Sequence, residues 1–272
     1  MPAPVTLLSD GKPGWPLLRF HFLRNDLMEL LLLSNGKANE FPGLLGWARD
    51  RVQSLLARKQ VKRSLLIPYA VIRSDWDARA NELQESLGVD AISIHHFDDP
   101  VDAINQADAI FISGGNTWRL NQMLHENGLI VPIQRAVRER GVPYVGWSAG
   151  CNVATPSIRT TNDMPVCSAA VLPARGLVPL QITPHYLDAS ISGHMGETRD
   201  ERLAEFCAIN PSEHVVALRE ASLLQITGEN GSERLEYWSA REQDFKIFKH
   251  GQEPQAFMDA APRAELTPFK VC

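Results

Sequence analysis

The chain has 272 residues, 44% hydrophobic and 22% charged, a composition that lets a globular protein bury its core without cross-links. Its net charge of −5, with both signs spread along the sequence, leaves no basic face for nucleic acid and no polybasic membrane patch. Four scattered cysteines, Cys151, Cys167, Cys207 and Cys272, form no C-x-x-C pair and fit a reducing cytoplasm. No apolar run approaches the roughly 20 residues of a membrane span.

Residues 1–27 mix prolines with alternating apolar and charged side chains and lack the uninterrupted apolar stretch of a secretory signal. They read as a poorly ordered extension, the product of an upstream start codon, preceding a single α/β domain over 28–272. From there short apolar runs alternate with amphipathic stretches. ELLLLS (29–34) reads as a buried strand and 42–57 as a helix. SLLIPYA (64–70) is a second strand, and 74–88 a helix with a Ser/Asp start and a glycine stop. AISIHHF (91–97), a short helix over 99–108, the strand AIFIS (109–113) and helices over 117–126 and 130–140 follow. PYVGW (143–147) is the fifth strand.

Strands alternating with helices predict a mainly parallel, doubly wound sheet with helices on both faces. Near-continuous apolar strands agree, because parallel strands are buried on both sides. After about residue 212 the pieces HVVALRE, SLLQITG, RLEYWSA and DFKIFKHG are strand-like with short turns, which predicts antiparallel strands added to that sheet. The eight histidines show no H-E-x-x-H spacing. His95 and His96, adjacent on a strand, would face opposite sides and could not share a metal easily. No metal and no cofactor are expected.

The fifth strand delivers the chain to Gly146-Trp147-Ser148-Ala149-Gly150, a G-x-S-x-G pattern. A strand, a serine and then small residues opening a helix is the arrangement that forces a serine into a sharp exposed turn. The Ala149 amide then stands where it can stabilise an oxyanion, helped by the helix dipole. A second donor comes from the loop after the preceding strand, where Gly114 and Gly115 let a backbone N–H approach a substrate carbonyl. Cys151, one helical turn beyond the serine, reads as a small buried hydrophobe.

A nucleophilic serine needs a base, and the base an orienting acid. His185 follows the apolar run LQI and a proline, at a strand end; His194 competes with it, while His125, His214 and His250 read as surface or strand residues. For the acid, Asp163 and Glu220 are the candidates. Asp163 lies only fifteen residues past Ser148, too short for an α/β-hydrolase layout, whereas Glu220 ends the strand HVVAL. Spacing alone leaves the choice open.

GGNT at 114–117, GWSAG at 146–150, IRTTNDMP at 158–165, LQITPH at 180–185 and GETRDER at 196–202 resemble peptidase E, the bacterial α-aspartyl dipeptidase family. The likeness runs from Met28 to about Lys249, and it implies Met28 as the ancestral start and a class I glutamine amidotransferase-like fold. It further implies a cytoplasmic serine exopeptidase for dipeptides with an N-terminal aspartate. Ser148 matches the nucleophile and His185 the base; positions matching Asp163 and Glu220 have both been proposed as the acid. Glu220 is favoured by its placement, with Asp163 essential either way, as a holder of the substrate ammonium group if not as the triad acid. An aspartyl side chain needs a cationic partner, and arginine offers carboxylates a bidentate fork. Arg199 is the family's matching position and Arg159 the second choice, with Asn116 of the GGN loop also assigned to substrate binding. Cys151 and Ser113 depart from the family pattern, which has alanine and a third glycine there, both small-for-small changes.

Three other readings remain at this point. One is a cyanophycinase-like peptidase, against which TTNDMP argues; the second is a non-catalytic binding module that has kept the fold. The third is a cysteine amidotransferase acting through Cys151. The expected partner is a small peptide substrate, and the expected assembly a monomer or homodimer.

Overall fold

Leu30 and Leu32 of the first strand pack into one hydrophobic core, and Leu31 and Leu33 into another. The pleat sends alternate side chains to opposite faces, so this all-leucine strand is covered on both sides. In the computed structural model, residues 28–168, 173–174, 176–188, 196–228 and 233–258 are described. The first strand, β1, spans Met28–Leu33. The next four are β2 (Ser64–Ile67), β3 (Ala91–Ser93), β4 (Ala109–Ile112) and β5 (Tyr144–Trp147). All five run parallel in the order β3-β2-β4-β5-β1.

Helices α1 (Arg49–Arg58) and α2 (Trp76–Leu87) cover the face of Leu31 and Leu33 through Val52, Leu55, Leu83 and Leu87. On the other face lie α3 (Pro100–Gln106), α4 (Thr117–Glu126) and α5 (Ile130–Arg140), contributing Ile104, Leu120, Leu124, Ile133 and Val137. Their ends obey local rules. Asp75 caps α2 by accepting the Asp77 amide at 3.0 Å, and Gly88 stops it at φ 67°. Asp99 and Asn116 cap α3 and α4 in the same way.

The sequence differs from the structure beyond residue 212. Only β8 (Ser222–Gly228) and β9 (Arg234–Ser239) extend the main sheet, β8 antiparallel to β1 and β9 antiparallel to β8. Strands β6 (Gln181–Tyr186), β7 (Val215–Arg219), β10 (Phe245–Phe248) and β11 (Gln255–Phe257) form a second sheet in the order β11-β10-β7-β6. Its face bearing Ile182, Val216, Leu218 and Ile247 joins the large core, and Val215, Ala217 and Phe248 face α7 (Arg199–Ile209). The two-residue turn Glu220-Ala221 looks in sequence like a hairpin, yet β7 and β8 belong to different sheets. Ala221 takes φ 57°, and its amide is held by the Asn35 side-chain oxygen at 2.8 Å, so the chain crosses between sheets there.

A second difference concerns His95 and His96. The strand expected over 91–97 ends at Ser93, and Ile94–His96 form a turn of 3₁₀ helix. Residues three apart eclipse in that geometry and neighbours splay far less than on a strand. Both imidazoles therefore reach Asp77 instead of facing opposite ways.

Candidate active site

The carboxyl ends of β1, β4 and β5 meet at one edge of the main sheet, the edge where open α/β sheets hold their ligands. β5 ends at Trp147, and Ser148 follows with φ 52° and ψ −111°, a strained conformation for a non-glycine residue. The turn fits only because Gly146 and Gly150, two residues to either side, lack side chains. A Cβ on Gly146 would lie 2.5 Å from the Gly150 carbonyl oxygen, and one on Gly150 would lie 2.3 Å from that of Ile112. The Ser148 amide donates to the Leu33 carbonyl at 3.0 Å, which ties the turn to the end of β1. The short helix α6 (Ala149–Asn152) then begins. It is a single turn, so the macrodipole expected there adds little.

His185 lies near the end of β6 in a second strained conformation, φ 56°, beside an irregularity in the pairing with β7 between Thr183 and Tyr186. Its backbone amide donates to the Ser34 hydroxyl at 2.9 Å. Its ring Nε2 is 2.9 Å from Ser148 Oγ, and its Nδ1 is 3.1 Å from Glu220 Oε1. Glu220 comes from the β7–β8 crossing, so three segments distant in sequence converge on one hydrogen-bonded line. Both the His185 and the Glu220 side chains stay about 40% exposed, open to a substrate.

Asp163 is elsewhere. Its Oδ2 accepts the Thr117 amide at 2.8 Å and the Thr117 hydroxyl at 2.6 Å, with Thr161 Oγ1 at 3.2 Å. The Trp118 indole donates to its backbone carbonyl at 3.0 Å. Asp163 thus clamps the segment 161–164 to the start of α4, directly after the glycine loop. Asn116 serves the same clamp: its Oδ1 caps the Arg119 amide at 3.0 Å and its Nδ2 donates to the Met164 carbonyl at 2.9 Å.

Gly114 lies against the serine, since a Cβ there would meet Ser148 Cβ at 3.0 Å. Gly115 has φ 141°, and a Cβ on it would come within 2.2 Å of the Ala70 carbonyl oxygen, so both conformation and space require glycine. Among the described residues the amides of Gly114, Gly115 and Ala149 have no backbone acceptor. The loop also walls a cavity of about 690 Å³, together with Ala70, Val71, Arg73 and Arg119.

Of the two expected arginines, Arg159 has its donors taken. It bonds Ser157 Oγ at 2.9 Å and Asn210 Oδ1 at 2.6 Å, pairs with Glu213, and stacks over Phe206 at 5.0 Å. Arg199 opens α7 behind the Thr198–Glu201 capping box and forms no ion pair with any described residue. Burial, then the neighbouring charge of Arg202, holds its guanidinium below its usual pKa. Tyr186, at the end of β6, donates to Asp200 at 2.5 Å and so ties the start of α7 to that strand. His194 lies outside the described residues. Cys151 is fully buried, and burial pushes its thiol far above the ordinary range, against the amidotransferase reading.

Sequence reasoning missed Ser34 and Asn35. Ser34 Oγ accepts the His185 amide and donates to the Leu218 carbonyl at 3.0 Å, while Asn35 holds the turn carrying Glu220. The signal was available: two small polar residues directly after a run of four leucines, at the carboxyl end of a central strand.

The sequence pattern of peptidase family S51 matches residues 30–233, most of the chain. The chain belongs to peptidase family S51. It is 41% identical over 204 residues to peptidase E of Citrobacter koseri, covering 74% of this chain and 87% of that one. It is 40% identical, with the same coverage, to peptidase E of Escherichia coli. The solved structure of a peptidase from an acI-B1 Actinobacterium superimposes with a TM-score of 0.56 at 16% identity, covering 86% of this chain and 99% of that one. The family's architecture, a mainly parallel sheet flanked by helices and of class I glutamine amidotransferase-like type, is the one this chain adopts. It is a peptidase by family, and no helix among its described residues is long and apolar enough to cross a membrane.

Proposed function

We propose that the chain is a serine exopeptidase that hydrolyses dipeptides with an N-terminal aspartate through an acyl-enzyme on Ser148. The observation that carries this reading is the line Ser148 Oγ–His185 Nε2–Glu220, with contacts of 2.9 and 3.1 Å. Those distances suit proton transfer from a hydroxyl to an imidazole whose tautomer a carboxylate fixes. His185 takes the Ser148 proton as the oxygen attacks the aspartyl carbonyl. The amides of Ala149 and of the Gly114–Gly115 loop receive the developing oxyanion. His185 then protonates the leaving amine, and water, deprotonated by the same histidine, releases aspartate. Losing one oxyanion donor of this kind costs about 10²–10³ in kcat.

In this reading Glu220 is the orienting acid. Asp163 is essential through Thr117, because it fixes the start of α4 and with it the glycine loop; holding the substrate ammonium group is the second role assigned to it. Arg199 receives the aspartyl carboxylate, since a half-buried guanidinium without a carboxylate partner favours an anionic guest. Asn116 shapes the loop the substrate lies against. The setting is cytoplasmic, in keeping with the free thiols.

A dipeptide panel tests the reading. Asp-Leu should be cleaved, and Glu-Leu, Asn-Leu and N-blocked Asp-Leu cleaved far more slowly or not at all. Equal rates across the panel would remove the specificity assigned to Arg199.

A further inference from the structure

Away from Ser148, the turn that replaces the end of β3 brings two imidazoles and a carboxylate together. His96 Nε2 is 2.6 Å from Asp77 Oδ1, and His95 Nε2 is 3.5 Å from the same oxygen. One ligand atom from each of the three residues lies within 4.8 Å of the others, and among the described residues no other such group of metal-ligating side chains occurs.

Hydrogen bonding alone does not satisfy this cluster. His96 can donate to Asp77 at 2.6 Å, but 3.5 Å is beyond the usual range of a hydrogen bond for His95 Nε2. Protonating both rings would place two imidazoliums with centroids 4.0 Å apart. A divalent cation between the three groups would satisfy both Nε2 lone pairs and the carboxylate at once.

The surroundings already support such ligation. Ser93 Oγ lies 2.7 Å from His95 Nδ1, so Nδ1–H can donate to it and leave Nε2 as the ligand atom. The Trp76 ring packs edge-on against His95 at 5.3 Å and restrains its rotation. Asp77 sits in the first turn of α2, on an element that holds its carboxylate against both imidazoles. His95 also lines a groove with Val71, Ile72 and Trp76, so an ion can enter from solvent.

We propose that Asp77, His95 and His96 form a binding site for a divalent transition-metal ion of the zinc type. Two imidazoles and one carboxylate suit zinc, nickel or copper better than magnesium or calcium, which prefer all-oxygen shells. Three protein ligands leave at least one position to water. The site is separate from the Ser148–His185–Glu220 line and does not depend on the reaction proposed for it.

The test uses the full chain stripped with a chelator and titrated calorimetrically with Zn²⁺, and with Co²⁺ followed by absorption. The expected result is one equivalent bound per chain, with Co²⁺ d–d bands and no thiolate charge-transfer band. Asp77→Asn and His96→Gln should abolish binding at that stoichiometry, and Ser93→Ala should weaken it about 10- to 100-fold. Metal-free variants should keep the wild-type circular dichroism spectrum and a cooperative melt, which keeps loss of binding apart from loss of fold. Absence of binding by wild type, undiminished binding by His96→Gln, or a thiolate charge-transfer band would each overturn the proposal.

Discussion

Ser34 Oγ accepts the backbone amide of His185 at 2.9 Å, a hydrogen bond spanning 151 residues of sequence. The adjacent Leu33 carbonyl accepts the amide of Ser148. Two consecutive residues at the end of β1 therefore fix the relative position of the histidine and the serine, both of which hold strained backbones. Strain of this kind costs about 1–3 kcal/mol per residue and persists only where the surroundings over-determine it.

Ser34→Ala leaves the His185 amide and the Leu218 carbonyl without that partner. Unsatisfied buried groups cost about 1–3 kcal/mol each. The expected outcome is a lower melting temperature together with a fall in kcat for Asp-Leu at little-changed KM. Ser34→Thr, which keeps the hydroxyl, should recover part of both. A wild-type kcat in Ser34→Ala would show that the bond does not position the base.

Glu220 and Asp163 separate by their contacts. Glu220→Gln removes the carboxylate behind His185 and should lower kcat on the order of 10⁴-fold, the scale of losing a triad acid, with the fold intact. Asp163→Asn should mainly lower stability and disturb the loop before α4, because its carboxylate bonds the Thr117 amide and hydroxyl. Parallel kcat and melting measurements on the two variants check this. A kcat loss larger for Asp163→Asn than for Glu220→Gln would transfer the acid's role to Asp163.

Arg199→Ala should cut kcat/KM for Asp-Leu by about 2–5 kcal/mol of transition-state binding, the scale of truncating one side of a desolvated ion pair. Arg199→Lys should recover only part, since an ammonium lacks the bidentate fork. The ratio of Asp-Leu to Asn-Leu hydrolysis is the deciding quantity; if Arg199→Ala leaves it unchanged, the aspartyl carboxylate binds elsewhere.

Burial raises the pKa of the Cys151 thiol far above its ordinary value and that of Cys207 to about 11, burial again leading with the charge of Glu213 behind it. The thiolate is the reactive form, so raised values mean almost no thiolate near pH 8. Iodoacetamide at that pH should leave both residues unmodified by peptide mass mapping, and Cys151→Ala should hydrolyse Asp-Leu as wild type does. Rapid alkylation of Cys151 with loss of activity would revive a cysteine mechanism.

The parts of this protein that sequence conveys are those set by local rules. The five parallel strands, the glycine stop of α2 and the elbow at Ser148 follow from apolar runs, caps and the need for small residues beside the serine. Pairing between strands is non-local, and there the reading failed. The turn Glu220-Ala221 has hairpin length, but Asn35, nearly two hundred residues earlier, holds Ala221 and sends β7 and β8 to different sheets. The 3₁₀ turn at His95–His96 was hidden likewise, because its stabilising partner Asp77 belongs to a different element. In the site, residue types and strand ends were enough to nominate Ser148, His185 and both acids. Which acid lies beside His185 depends on the loop that the second sheet brings there, a non-local matter that spacing in the sequence does not convey.

The most direct measurement of the central claim is turnover of Asp-Leu by Ser148→Ala, with the melting temperature recorded alongside. The expected result is an unchanged melting temperature and a loss in kcat on the order of 10⁶-fold, the scale seen when a triad nucleophile is removed. Undiminished turnover by the alanine variant would contradict it.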